Sequence, residues 1–228
     1  MEPATGGQEA RTRFSAACGM AAPLTFFGTV MILGFLRPDY SHITQLMSEL
    51  GVPGSPYAIV MDLTGLALTG VLIILFTPAI HAALGKQRGG TVGTILVAVV
   101  GLAFMGMAFL PCDAGCVPVT SAGQLHLLLG MAGILITAVA ALILAYAMKQ
   151  SGDWNGYWQY SIATGVAVLL LVPVFPSFSA VQGLTQRVMS GIVFLWTEVV
   201  AIRLYRLSSA AHGGTGKSAI GPHEDKGL

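Results

Sequence analysis

The residues able to do chemistry in this chain are few, and they gather beside long apolar runs. Asp39, His42, Gln45, Ser48 and Glu49 form one group; Asp62 stands near the start of an apolar run; Cys112, Asp113 and Cys116 fall between two others. His126 lies a few residues into the next run, and Gln186 with Arg187 opens the last. His126 can serve as a general base with Asp62 or Asp113 to orient it, and Ser48 can be a nucleophile where such a base is within reach. A charge in hydrocarbon costs at least about 2.5–3.5 kcal/mol, so Asp62, His126 and Arg187 are candidates for a buried, mutually paired network. The same residues suit binding of a small ligand or lipid headgroup, through His42, Gln45, Ser48, Glu49, Asp62, Asp113, His126, Gln186 and Arg187. A network that only fixes helix register is the structural alternative.

Cys112 and Cys116, in Pro111-Cys112-Asp113-Ala114-Gly115-Cys116, face the oxidising side under the topology below, so a disulfide is expected. Free thiols, or a metal held with His126 and either Asp113 or Glu49, are the alternatives. That spacing is a weak metal signal, and no metal is assigned. No cofactor is expected either: haem calls for paired intramembrane histidines where only His126 is embedded, and a retinal protein needs a lysine midway along a late helix.

The elements that must position these residues follow from composition. Of 228 residues 54% are hydrophobic and 9% charged, against roughly 25% charged in a soluble domain, and the mean hydropathy is +0.76. That excludes a soluble globular enzyme and a disordered chain, and a net charge of +1 offers no basic field for nucleic acid. A crossing helix needs about 20 mostly apolar residues. Six segments qualify: Phe14 to Leu36, Tyr57 to Ile80, Thr91 to Leu110, Ala122 to Met148, Tyr157 to Phe175 and Leu184 to Leu207. The expected fold is an all-α polytopic membrane bundle at 14–207, between an N-terminal arm at 1–13 and a disordered tail at 208–228.

Positively charged loops resist translocation. Arg11, Arg13, Lys86, Arg88, Lys149, Arg203, Arg206, Lys217 and Lys226 fall on one side, Arg37 and Arg187 on the other. Both termini are therefore expected in the cytoplasm of a prokaryotic cell, with the protein in its plasma membrane. The first segment is expected to remain as a span rather than be removed as a signal sequence, with Cys18 a buried thiol. Ile43, Leu46, Met47 and Leu50 recur at helical spacing, so Ser41 to Leu50 is expected as a short interfacial amphipathic helix in the first outer loop. Pro23, Pro173 and Pro176 should bend the first and fifth helices. Tyr40 and Tyr57, and on the other side Trp154, Tyr157, Trp158 and Tyr160, suit interfacial belts. Glu198 and Arg203 suit a local pair.

The run Tyr40-Ser41-His42-Ile43-Thr44-Gln45-Leu46-Met47-Ser48-Glu49-Leu50-Gly51, the Pro111–Cys116 motif, His126 and Gly183-Leu184-Thr185-Gln186-Arg187 together resemble a family of small prokaryotic membrane proteins, domain-of-unknown-function family 998. The resemblance covers about Phe14 to Arg206 and implies a six-helix membrane domain without an assigned activity. The functional expectation is a membrane protein, not clearly an enzyme, that meets the lipid bilayer and binds a small molecule or lipid headgroup in an outward-facing polar pocket. The alternatives are a membrane-embedded enzyme acting on a lipid or isoprenoid carrier with His126 as base, and a small transporter using Asp62 and Glu198.

Overall fold

In a solvent that offers the backbone no partner, an apolar chain must satisfy its own N–H and C=O groups, and an α-helix does so within one segment. The computed structural model describes residues 6–215, with side chains as far as 209, and no strand occurs among them. The helices are α1 (Gly6–Leu36), α2 (Ala58–Leu84), α3 (Gly90–Phe109), α4 (Ser121–Lys149), α5 (Tyr157–Leu171) and α6 (Gln182–Thr215).

Among the described residues five helices are long and apolar enough to cross a membrane, one fewer than hydropathy predicts. The difference arises because α5 and α6 are joined through a 3-10 segment, Val172–Val181, into a single 53-residue stretch, Tyr157–Ser209. The stretch is not straight. Pro173 and Pro176 remove two backbone donors, and Phe178 leaves helical geometry at φ −106° and ψ 33°. Trp196 Nε1 donates to Ser161 Oγ at 2.9 Å, and Arg203 donates to the Asp153 carbonyl. In an unbroken helix Ser161 and Trp196 would stand about 50 Å apart at 1.5 Å per residue, so the chain folds back on itself.

Neighbours in sequence are neighbours in space. α1 packs on α2 and α6, α3 on α2 and α4, and α4 on α5, closing a ring whose sparsest seam lies between α5 and α6. Phe76, Leu84, Leu144, Met148 and Trp196 are fully buried between helices. Pro23 is accommodated in an uninterrupted α1. A proline that sequence reading passed over, Pro78, is repaired by two hydroxyls, one of them from outside its helix. Ser15 of α1 accepts from Ala79 N–H at 2.9 Å and donates to the Leu75 carbonyl at 2.7 Å, while Thr77 donates to the Ile74 carbonyl. Those are the groups a mid-helix proline leaves without partners.

No amphipathic helix forms over Ser41–Leu50. Residues 38–46 make turns and Met47–Gly51 is a short 3-10 helix. The polar side chains take backbone groups that a helix would need: Gln45 Oε1 accepts from Ser41 N–H at 2.7 Å and Glu49 Oε1 from Leu46 N–H at 2.8 Å. Met47, Glu49 and Leu50 are buried against the bundle rather than spread along an interface. Tyr40 and Trp154 are buried too, not belt residues. Several aromatics at the opposite end meet cations: Lys149 over Trp158 and Arg203 over Tyr157, both at 5.1 Å, and Arg13 over Tyr205 at 5.2 Å. α1 begins before Phe14 and α6 continues past Leu207. The expected tail from residue 216 onward, and residues 1–5 of the arm, lie outside the described residues.

Candidate ligand-binding cavity

One side chain holds the first loop to the start of α6. Arg187 Nη1 donates to the carbonyl oxygens of Gln45 at 3.1 Å and Gly183 at 2.9 Å. Arg187 Nη2 donates to the Tyr40 hydroxyl at 2.6 Å and lies 3.2 Å from His42 Nδ1. The Tyr40 hydroxyl in turn donates to the Leu46 carbonyl at 3.0 Å. Only a planar, multi-donor fork serves so many acceptors at once. The backbone adds to it: Leu184 N–H donates to the Ile43 carbonyl at 2.9 Å, and Gln186 Oε1 accepts from Met47 N–H at 2.7 Å. Gly183 permits this approach, since a Cβ there would stand 2.2 Å from the Gln45 carbonyl oxygen. Burial pushes the His42 pKa below its ordinary value, and the Arg187 charge adds to the shift. Burial pushes the Tyr40 hydroxyl up, partly opposed by Arg187.

Beneath the loop, within the ring of helices, is a cavity of about 150 Å³. Phe26, Phe104 and Phe194 with several methionines form its apolar wall, and Leu46, Met47 and Ser48 cap it. Gly130 and Gly133 of α4 keep it open: a Cβ at Gly130 would meet nothing nearer than Met107 Sδ at 3.5 Å, and one at Gly133 nothing nearer than Ala103 Cβ at 4.0 Å.

Four polar side chains on the wall have bonding capacity to spare. His126, 3% exposed, has Nδ1 2.6 Å from the Leu110 carbonyl oxygen. A carbonyl only accepts, so Nδ1 carries the hydrogen and Nε2 is a lone-pair acceptor. That Nε2 is buried without a partner. Gln186 has spent its oxygen on Met47, which leaves its amide NH₂. The Ser48 and Ser190 hydroxyls make no hydrogen bond among the described residues.

The cavity thus takes Ser48, His126 and Gln186 from the residues singled out by sequence. His42, Gln45, Glu49 and Arg187 belong to the clamp around the loop. Asp62 lies in a π-helical turn, Met61–Leu68, against Gly51, where a Cβ would stand 2.7 Å from its Oδ1. The expected Asp62–His126–Arg187 network does not form: the Arg187 Nη atoms bind the loop and Gly183, His126 Nδ1 binds Leu110, and Arg187 Nε and His126 Nε2 are buried without partners. Neither Asp62 nor Asp113 orients His126; the Leu110 carbonyl does. Glu198 does not pair with Arg203, which binds the Asp153 carbonyl, and Glu198 Oε2 is buried without a partner. Sequence reading missed Ser190, although it stands four residues after Gln186 on one helix face. It also missed Tyr40 as the arginine's main partner.

Cys112 and Cys116 form a disulfide, and Cys18 is a free buried thiol. Between the cysteines Asp113 Oδ2 accepts from Val119 N–H and Thr120 N–H, both at 2.8 Å, and Oδ1 from the Thr120 hydroxyl at 2.8 Å. The Thr120 amide, aided by its hydroxyl and the Val119 amide, holds the Asp113 carboxyl below the usual range. Thr120 Oγ1 accepts from Gly123 N–H at 3.1 Å and so caps α4. The disulfide loop thereby fixes the start of the helix that carries His126. Among the described residues no three His, Cys, Asp or Glu side chains converge as metal ligands.

Five helices long and apolar enough to cross a membrane, with no strand among the described residues, define the class: an all-α integral membrane protein. The family model "Protein of unknown function (DUF998)" matches residues 20–203, most of the chain, and the chain belongs to that family. No curated protein and no solved structure matches it.

Proposed function

We propose that the protein crosses a prokaryotic plasma membrane six times, with both termini cytoplasmic, and binds a small ligand or lipid headgroup in the cavity beneath its first loop. Six crossings follow if α5 and α6 are separate passes around the turn at 172–181. The orientation rests on nine Lys and Arg against two. The observation that carries the binding reading is His126 Nε2, a buried acceptor without a partner on the cavity wall. Such a group costs about 1–3 kcal/mol, and a ligand that bonds to it offsets that cost. Ser48, His126 and Gln186 touch the ligand in this reading. His42, Gln45, Glu49 and Arg187 hold the cap, Asp113 sets α4, and Asp62 supports the loop. Native mass spectrometry of full-length protein released from nanodiscs tests it. Wild type should retain a lipid-sized adduct that Gly133→Leu loses and the milder Gly130→Ala weakens; equal retention by all three contradicts the reading.

A second reading, hydrolysis or transfer on a lipid or isoprenoid carrier, is favoured by one observation: Ser48 and His126 line the same cavity, the histidine with its acceptor nitrogen free. Ser48 Oγ would then attack an ester carbonyl of the lipid as His126 Nε2 takes its proton, and the ester C–O bond would break with His126 returning that proton to the leaving alcohol. Water or a second alcohol would release the acyl group from Ser48 by the same steps in reverse. Turnover of a radiolabelled lipid pool should stop in Ser48→Ala and in His126→Ala, and persistence in either removes this reading.

A further inference from the structure

The hydrogen-bonding character of the cavity restricts what can fill it. Resting on the binding reading above, we infer that the ligand is an uncharged amphiphile with a hydroxyl on its head, the hydroxyl donating to His126 Nε2 and accepting from the Gln186 amide. The first argument is the direction of the bonds. Nδ1 of His126 gives its hydrogen to the Leu110 carbonyl, so Nε2 can only accept. Esters, ethers, carboxylates and fully ionised phosphates have no hydrogen to offer it; a hydroxyl does. Gln186 has the opposite need, because its oxygen is taken by Met47 N–H and only its NH₂ remains. A hydroxyl is the smallest group that answers both at once.

The second argument is charge. No Lys, Arg, Asp or Glu lines the cavity. The nearby cation, Arg187, does not line the cavity; its Nη atoms are directed at Gln45, Gly183, Tyr40 and His42, and its Nε is buried without a partner. A charged head would lose its hydration there without gaining a counter-ion from the wall. An anion could be held only if His126 itself took up a proton, and its binding would then strengthen as pH falls. The third argument is the remainder of the wall, which is aromatic and methionine-rich and adapts to an apolar body. Phe175, from the segment joining α5 to α6, is part of that wall, so the apolar body of a ligand meets the chain at the sparsest seam of the ring.

The test is thermal unfolding of purified full-length protein in detergent with four probes: 1-monooleoylglycerol, which is uncharged and hydroxylated; methyl oleate, uncharged without a hydroxyl; oleate; and oleoyl lysophosphatidic acid. Monooleoylglycerol should raise the midpoint, the other three should not, and His126→Phe should weaken its binding about tenfold, the loss of one hydrogen bond. Because a variant can misfold, ¹⁵N NMR of wild type gives a second reading: the Nε2 resonance should move toward a hydrogen-bonded acceptor with monooleoylglycerol and stay fixed with methyl oleate. Equal stabilisation by methyl oleate overturns the hydroxyl, and anion binding that grows as pH falls overturns the uncharged head. Both leave the cavity reading standing if Gly133→Leu still abolishes the shift. No shift with any probe overturns the inference, and a shift unaltered in Gly133→Leu overturns the cavity reading with it.

Discussion

His126 Nδ1 lies 2.6 Å from the carbonyl oxygen of Leu110, so a ring near the start of α4 closes the last turn of α3. The bond satisfies a carbonyl that a helix end leaves open and fixes the imidazole as the Nδ1–H tautomer. ¹⁵N NMR at neutral pH should find His126 neutral and protonated on Nδ1. His126→Phe fills the volume and removes the unpartnered Nε2 but leaves the Leu110 carbonyl without this partner. The two effects, each about 1–3 kcal/mol, oppose one another, so unfolding of the ligand-free protein should change by less than either alone. An Nε2–H tautomer would mean the cavity presents a donor, not an acceptor.

Arg187→Ala should free the first loop. It removes donors from the Tyr40 hydroxyl and from two backbone carbonyls, and hydrogen bonds from a charged group are worth about 1.5–3 kcal/mol. Amide exchange at Leu46–Glu49 should rise by at least about tenfold, and Arg187→Lys, lacking the planar fork, should restore only part of the protection. Unchanged exchange in Arg187→Ala would show that the backbone contacts hold the loop without it.

The His42 shift sets a pH dependence. Its pKa in the folded protein lies below the ordinary value of about 6.5, so between the two values the unfolded chain binds more protons than the folded one. Stability therefore rises with pH across that window and falls on acidification from about pH 6.5 downward. The unfolding midpoint of wild type should drop more between pH 7.5 and 5.5 than that of His42→Asn. Parallel curves for the two proteins would remove His42 from the account.

How much of this was legible in the sequence depends on which physical signal each feature carries. Hydropathy located the apolar runs because burial in lipid acts on every residue of a span. It placed two spans where the structure has one helical stretch because 172–181 is itself apolar and keeps 3-10 bonding through its two prolines. The loop at 41–51 carried a helical pattern, yet Gln45 and Glu49 spend their side chains on the backbone, and such local competition leaves no periodic trace. Long-range pairing was invisible for the same reason: Arg187 and Tyr40 are 147 positions apart, and the cost of a charge in hydrocarbon favoured Asp62 as the partner, which lies elsewhere. The motif around Cys112 and Cys116 pointed to their pairing because compartment and proximity both favour it.

Sidedness can be read from that disulfide. A membrane-impermeant maleimide applied to intact cells should label the protein only after treatment with an impermeant reductant, and the label should map to Cys112 and Cys116, not Cys18. Labelling without reductant would mean the thiols are free, and labelling confined to opened cells would invert the topology.

The cavity itself is tested most directly by asking which lipid stands beside its wall. A diazirine-bearing amino acid placed at Met189, 2% exposed on the cavity wall, should on illumination in native membranes crosslink one lipid species far above its bulk share. The same group at Leu195, 58% exposed on the same helix, should sample the bulk composition. Identical adduct profiles at the two positions, or no adduct at Met189, would contradict the account.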